Sequence, residues 1–258
     1  MTNPRFQRSA DGFIPAPSSH APWSTDMLHG RLIGGLGARA IEALVDGASS
    51  RITRLTVDLF RPAGMGPVSL RTTPVRQGRR LQVIDVVVSS DGSDVARITG
   101  LVLATGTEPS GKIWQPEPWS WPDPAVLVES SVDVDGWLMQ TAGGGFGSGE
   151  QTRMWTNDGR PLVDDEPLSP LVRAAISGDI ACPLANSSDN GLHYINADYT
   201  LTLGRYPVGP WIGLEVAHHV AADGLSLGSC TLVDETGPFA LSTGSSLATE
   251  PLEEPASL

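Results

Sequence analysis

The chain carries one pattern twice, 144 positions apart. Ile98-Thr99-Gly100-Leu101-Val102-Leu103-Ala104-Thr105 aligns with Ser242-Thr243-Gly244-Ser245-Ser246-Leu247-Ala248-Thr249. Thr56-Val57-Asp58-Leu59-Phe60-Arg61-Pro62 aligns with Thr200-Leu201-Thr202-Leu203-Gly204-Arg205-Tyr206-Pro207. Thr25 and Ser169, each just ahead of a helical pattern, keep the same offset. A constant offset at three separate landmarks implies two copies of one module. A length of 258 residues suits two small domains or one fused core. Positions where the copies differ are then the places to look for a site kept in one half and lost in the other.

Each copy reads as one helix followed by strands. Leu28, Leu32, Ile33, Leu36, Ala40, Ile41 and Leu44 recur at helical spacing and predict one broad apolar face, with Thr25 or Asp26 as cap. Gly34, Gly35 and Gly37 are costly in a helix unless another backbone packs closely against it. Strands are expected at 51–62, 68–76, 81–89 and 94–105, separated by Gly- and Asp-rich turns. The second helix is expected to open at Ser169-Pro170 and to stop before Pro183, with strands at 193–206, 211–221, 226–234 and 239–249. Further strands are expected at 126–134 and 152–156. The resulting division is an N-terminal module at 1–107 with a partly ordered lead-in over residues 1–20, where Phe13-Ile14 forms a short strand. A Pro/Trp-rich linker at 108–125 holds Trp114, Trp119 and Trp121 and packs across the surface. A C-terminal module at 126–249 and an acidic, disordered tail at 250–258 complete the chain. The run Gly143–Gly149 is expected to be a flexible loop, and it lacks the Lys-Ser/Thr ending of a phosphate-binding loop.

The charge balance narrows the partners. With 17 Lys and Arg against 29 Asp and Glu, the net charge is −12, which argues against nucleic acid and anionic membrane. No basic-plus-apolar leader and no apolar run of 18 residues occurs, so a cytoplasmic protein is the expectation. Cys182 and Cys230 lack metal-ligand or redox spacing and read as buried thiols.

The order of segments is more specific than any one motif. The entry His29-Gly30 within Trp23–Ala43, the stretches Leu55–Pro62 and Pro161–Asp179, the run Ile195-Asn196-Ala197-Asp198-Tyr199-Thr200 through Arg205, Gly209–Glu215 and Asp234–Pro238 together resemble the type II acyl-CoA thioesterase-like family common in actinobacteria. The resemblance covers nearly all of residues 13–249. It implies an α+β double hotdog, two helix-wrapped antiparallel sheets joined as a pseudo-dimer. It also implies hydrolysis of an acyl-CoA or acyl-carrier thioester, with no metal or organic cofactor, and leaves self-association into a homo-oligomer open.

The resemblance implies a site of an Asp, a Ser or Thr hydroxyl, a Gln and a backbone amide at a helix start. The Asp falls on Asp198, seven residues before Arg205; its counterpart before Arg61 is Arg54. Asp198 is the expected base that activates water, or alternatively a strand cap or a partner of Arg205. The hydroxyl position falls near His218-His219, one of which can face inward on a strand. The Gln position falls on Gly244-Ser245, where only Ser245 offers a polar side chain. His29 and Gly30 fit the oxyanion-holding helix entry. Asp179 also matches an Asp of the group, but Cys182-Pro183 replace the Asn-Gly that follows it there, so it reads as structural. The missing hydroxyl and Gln keep a second function in view, a double hotdog that binds an apolar biosynthetic intermediate and catalyses elimination, isomerisation or cyclisation. A third, a non-catalytic interaction module, sits less well with a carboxylate kept in one copy.

Overall fold

A computed structural model of the chain describes residues 3–114, 120–126, 131–134, 136–164 and 166–250. Trp119, residues 127–130 and the acidic stretch 251–258 lie outside the described residues. The first half contains strands β1 (Phe6–Ser9), β2 (Gly12–Pro15), β3 (His20–Ala21) and β4 (Ser24–Leu28), helix α1 (Gly30–Glu42), then β5 (Ser50–Leu59), β6 (Val68–Gln77), β7 (Leu81–Ser90) and β8 (Ser93–Ala104). The second contains β9 (Ser131–Val134), β10 (Trp137–Gly143), β11 (Arg153–Asp158), helices α2 (Pro170–Asp179) and α3 (Ala181–Ala185), and two short strands, β12 (Ser187–Ser188) and β13 (Gly191–Leu192). There follow β14 (Tyr194–Asn196), β15 (Asp198–Leu203), β16 (Ile212–Ala222), β17 (Leu225–Asp234) and β18 (Gly237–Ala248). The bounds of β7 and β8, moved by 144, are those of β17 and β18.

Among the described residues β3 pairs only with β4 and β12 only with β13; the other strands make one antiparallel sheet in the order β1-β2-β6-β7-β8-β5-β15-β18-β17-β16-β11-β10-β9, with β14 also paired to β18. The order reads as a palindrome about the β5–β15 seam. At that seam Thr56 stands opposite Thr200, its own repeat equivalent, and their hydroxyls lie 3.3 Å apart. A residue facing its own equivalent defines a pseudo-twofold axis, as the repeat requires, and the fold is the double hotdog that the resemblance implies.

Both helices lie on one face of this sheet, and one apolar cluster drawn from both halves fills the space between. Alternate residues of the central strands (Leu55 and Val57 on β5; Tyr199, Leu201 and Leu203 on β15) face the helices and are buried. The helix glycines are explained by close approach of side chains, not of a second backbone as expected: a Cβ at Gly34 would lie 2.0 Å from the Tyr199 hydroxyl, and one at Gly37 2.5 Å from Ile98.

Two expectations need correcting. The lead-in is anchored: Phe6 is fully buried, Phe6 N donates to Leu162 O at 2.9 Å, and Arg160 donates to Asn3 O, Pro4 O and Ser18 Oγ. The helices do not start at equal offsets: α1 begins five residues after Thr25, which lies in β4, whereas Ser169 caps α2. Helix α2 stops at Asp179, before Pro183, as expected; the short helix α3 follows with Pro183 in its first turn, where its missing N–H has no intrahelical acceptor to lose. The linker packs only in part: Trp121 lies edge-on to Trp155, whose Nε1 donates to Pro122 O at 3.0 Å, whereas Trp114 is exposed. Among the described residues no helix is long and apolar enough to cross a membrane.

Candidate active site

A cavity of about 510 Å³ opens where the start of α1 meets the end of α2. Its wall is mostly apolar (Trp23, Met27, Ile33, Leu59, Phe60, Trp137, Met139, Phe146 and Leu192 among others), with His29, Gly30, Arg61, Asp179, Tyr194 and Asn196 as its main polar contributors. A few convergent polar groups in an apolar recess are the usual anatomy of a small-molecule site.

Asp179 is the last residue of α2 and is 3% exposed. The chain breaks there because a proline ring in a continuous helix clashes with the carbonyl four residues back, and Pro183 sets that carbonyl at Asp179. The carboxylate lies against Gly30: a Cβ at that position would be 3.5 Å from Oδ1 and 3.8 Å from Oδ2. Asn196 Nδ2 donates to Asp179 Oδ1 at 2.9 Å. Burial pushes the Asp179 carboxyl up to about 6, against the opposing pull of the Asn196 amide, the Arg31 guanidinium and the Arg31 backbone amide. A carboxylate at that value is ionised at neutral pH and still basic enough to take a proton from water.

Asn196 reaches Asp179 because the strand is bulged. Between Asn196–Ser246 and Thr200–Thr243 one strand advances four residues and the other three. The extra residue, exposed Ala197, lets Asn196 face the helices as Tyr199 does. The same bulge turns Asp198 to the opposite face, where its Oδ1 accepts from Ser245 N at 2.7 Å.

The sequence-based site is corrected accordingly. Asp198 is not in the cavity wall; it caps the bulge, the alternative kept open for it. Ser245 is exposed on the outer face of β18. His218 and His219 are both exposed on the part of β16 that runs beyond its pairing with β11, which ends at Glu215. Gly244 faces inward, but a Cβ there would lie 2.4 Å from Cys182 Sγ and 2.5 Å from Asp198 O, so packing leaves no room for a Gln side chain. Cys182 and Cys230 are buried, and burial pushes the Cys182 thiol up to about 12. No group of three or more potential metal ligands occurs among the described residues.

His29 and Gly30 do line the cavity. His29 is the N-cap of α1, and its Nδ1 accepts from Arg31 N at 3.4 Å. Burial, then the charges of Arg31 and Arg5, hold its imidazole well below the ordinary histidine value, so the ring is neutral. With Nδ1 accepting, the ring proton sits on Nε2 as a donor. The Gly30 amide, first in the helix, has no backbone partner among the described residues.

Sequence reasoning did not place Asp179 and Asn196 in the cavity wall, where the structure brings them together. Asp179 was visible as a family-like Asp, and Asn196 stands two residues before the Asp that was chosen; only the bulge separates them.

Two family models cover the chain: the acyl-CoA thioesterase N-terminal domain over residues 19–104 and the acyl-CoA thioesterase C-terminal domain over residues 111–247. Solved structures share the fold. A tesB protein of Mycobacterium avium subspecies paratuberculosis superposes with a TM-score of 0.71 at 16% identity, covering 95% of this chain and 96% of that one. An acyl-CoA thioesterase II of Mycobacterium marinum gives 0.65 at 16% identity over 86% and 91%. A hot dog protein of unknown function from Alicyclobacillus acidocaldarius gives 0.71 at 15% identity over 95% and 96%. A search of curated proteins finds none that matches.

Proposed function

The chain belongs to the acyl-CoA thioesterase family and is a thioester hydrolase, and from that premise we propose that it hydrolyses acyl-CoA in the cavity at the start of α1, with Asp179 as the base. The observation that carries this reading is the Asp179–Asn196 pair, a buried carboxylate held by an amide at the wall of an apolar recess. Asp179 takes a proton from water as the water oxygen attacks the thioester carbonyl carbon. The negative charge that develops on the carbonyl oxygen meets the Gly30 amide, the positive end of α1 and the His29 Nε2 proton. The carbon–sulfur bond then breaks. The leaving thiolate of CoA takes up the proton held by Asp179, and the acyl group departs as a carboxylic acid. Asn196 fixes the carboxylate's orientation and lends water a carbonyl acceptor.

A thiol-release assay over short, medium, long and aryl acyl-CoAs tests this. Turnover is expected with an acid limb near pH 6, where Asp179 loses its proton. A panel with no release above background, together with binding of a non-thioester apolar ligand, would overturn hydrolysis in favour of the eliminating, isomerising or cyclising alternative.

A further inference from the structure

Arg31 sits where helix physics disfavours it. It is the second residue of α1, in the first turn, where the helix dipole repels cations, and it is 3% exposed. Its Nη1 donates to Asp158 Oδ2 at 2.6 Å, and Asp158 Oδ1 accepts from Arg5 Nη2 at 3.0 Å. The guanidinium carbon also lies 4.0 Å from the centre of the Trp137 ring, which is itself part of the cavity wall. The three charges come from three places: the N-terminal arm, the start of α1 and the end of β11. For stability alone such a buried ionic group is seldom better than apolar packing of similar volume. The arrangement does hold one cation rigidly at the helix end that faces Asp179.

We propose that Arg31 is a positioning residue, the fixed countercharge for the negative charge at the start of α1, and that Asp158 and Trp137 hold it there. The proposal rests on Asp179 being the base. Asp179 is faced by His29 and Arg31 from α1, Asn196 from β14, Cys182 from α3 and Tyr199 from β15. His29 is held neutral by burial, and burial pushes the Cys182 thiol and the Tyr199 phenol far above neutral pH. Arg31 is thus the group in that ring whose charge persists across the range in which Asp179 titrates. The same charge serves the oxyanion, because both negative charges form at the same helix end.

The two ion-pair partners give opposite predictions. Arg31→Met removes the countercharge, and the Asp179 titration should move to higher pH by about one unit or more. Asp158→Asn removes the anion that competes for Arg31, and the titration should move to lower pH. Arg31→Lys should restore much of the wild-type value. The midpoint is read by carbon-13 NMR of aspartate labelled at its carboxyl carbon, with the Asp179 signal assigned by its loss in Asp179→Asn. That reading needs no turnover, so it stands apart from the thiol-release test, and either variant suffices if the other does not fold. The acid limb of kcat/KM should follow the NMR midpoint in each variant. Midpoints that stay put, or that move in the same direction in both variants, would overturn the proposal.

Discussion

The two ends of the helix pair are related by the pseudo-twofold axis, yet only one is open. Where α1 starts and α2 ends, about 510 Å³ is free and lined by His29, Gly30, Asp179 and Asn196. Where α2 starts and α1 ends, about 60 Å³ remains. There Ser169 accepts from Val172 N and donates to Glu42 Oε2, while Arg39 Nη2 donates to Glu166 Oε1 at 2.7 Å. Tyr206 closes over the strand, its hydroxyl accepting from Ile52 N at 3.1 Å. Ile52 is the repeat equivalent of Asn196, so the amide that steadies Asp179 is an aliphatic chain in the closed copy. The helix starts differ in the same sense. Gly30 offers an amide at the first helical position, and Pro170 at the corresponding position has none to offer. Duplication allowed one copy of the site to be given over to capping and ion pairing while the other stayed open.

Writing the closed copy's chemistry into the open one tests the contrast most severely. Gly30→Pro leaves a residue favoured at a helix start, and His29 already has the extended backbone (φ −67°, ψ 126°) that precedes proline comfortably. Turnover should fall roughly 10²–10³-fold, the usual cost of losing one oxyanion donor, with the circular dichroism spectrum unchanged. Full activity in this variant would remove the amide from the mechanism.

Asp179→Asn probes what the open end costs in stability. The folded-state value, raised from 3.8 to about 6, means the native protein prefers the protonated form. The stability this confers is fully present below pH 4 and is lost as pH rises through 6. Chemical denaturation at pH 8 should therefore find Asp179→Asn more stable than the parent by about 3 kcal/mol, with the difference gone near pH 4. A destabilised variant at pH 8 would show that the Asp179 charge holds the fold together.

The smallest effect is expected at the closed end. Ser169→Ala removes the α2 cap and should lower stability by about 1 kcal/mol without altering kcat or KM. A changed rate would mean that the second end takes part in the chemistry.

Much of this was legible in the sequence. The constant offset of Ile98–Thr105, Thr56–Pro62 and their equivalents contained the palindromic sheet, and the glycines of α1 announced the close packing of Tyr199 and Ile98. His29 and Gly30, which the sequence marks as a helix entry, line the cavity. Asp198 lies outside the cavity wall because side-chain direction along a strand follows a strict alternation that one extra residue reverses. The bulge at Ala197 has no sequence signature: it depends on β14 and β15 both pairing with β18 one residue out of step. Asp179 was passed over because Cys182-Pro183 departs from the family's Asn-Gly, although Pro183 itself ends α2 at that carboxylate. The anchoring of the lead-in rests on bonds from Arg5, Phe6 and Arg160 across more than 150 residues of chain, beyond the reach of any local pattern.

The central claim is that the buried carboxylate at the end of α2, and not the one at the bulge, does the chemistry. The direct test is thiol release from the best acyl-CoA by Asp179→Asn and Asp198→Asn, measured side by side. Asp179→Asn should lose roughly 10²–10⁴-fold in kcat, the contribution of a positioned base, while Asp198→Asn keeps the parental rate. The reverse result, an active Asp179→Asn beside an inactive Asp198→Asn, would contradict the account.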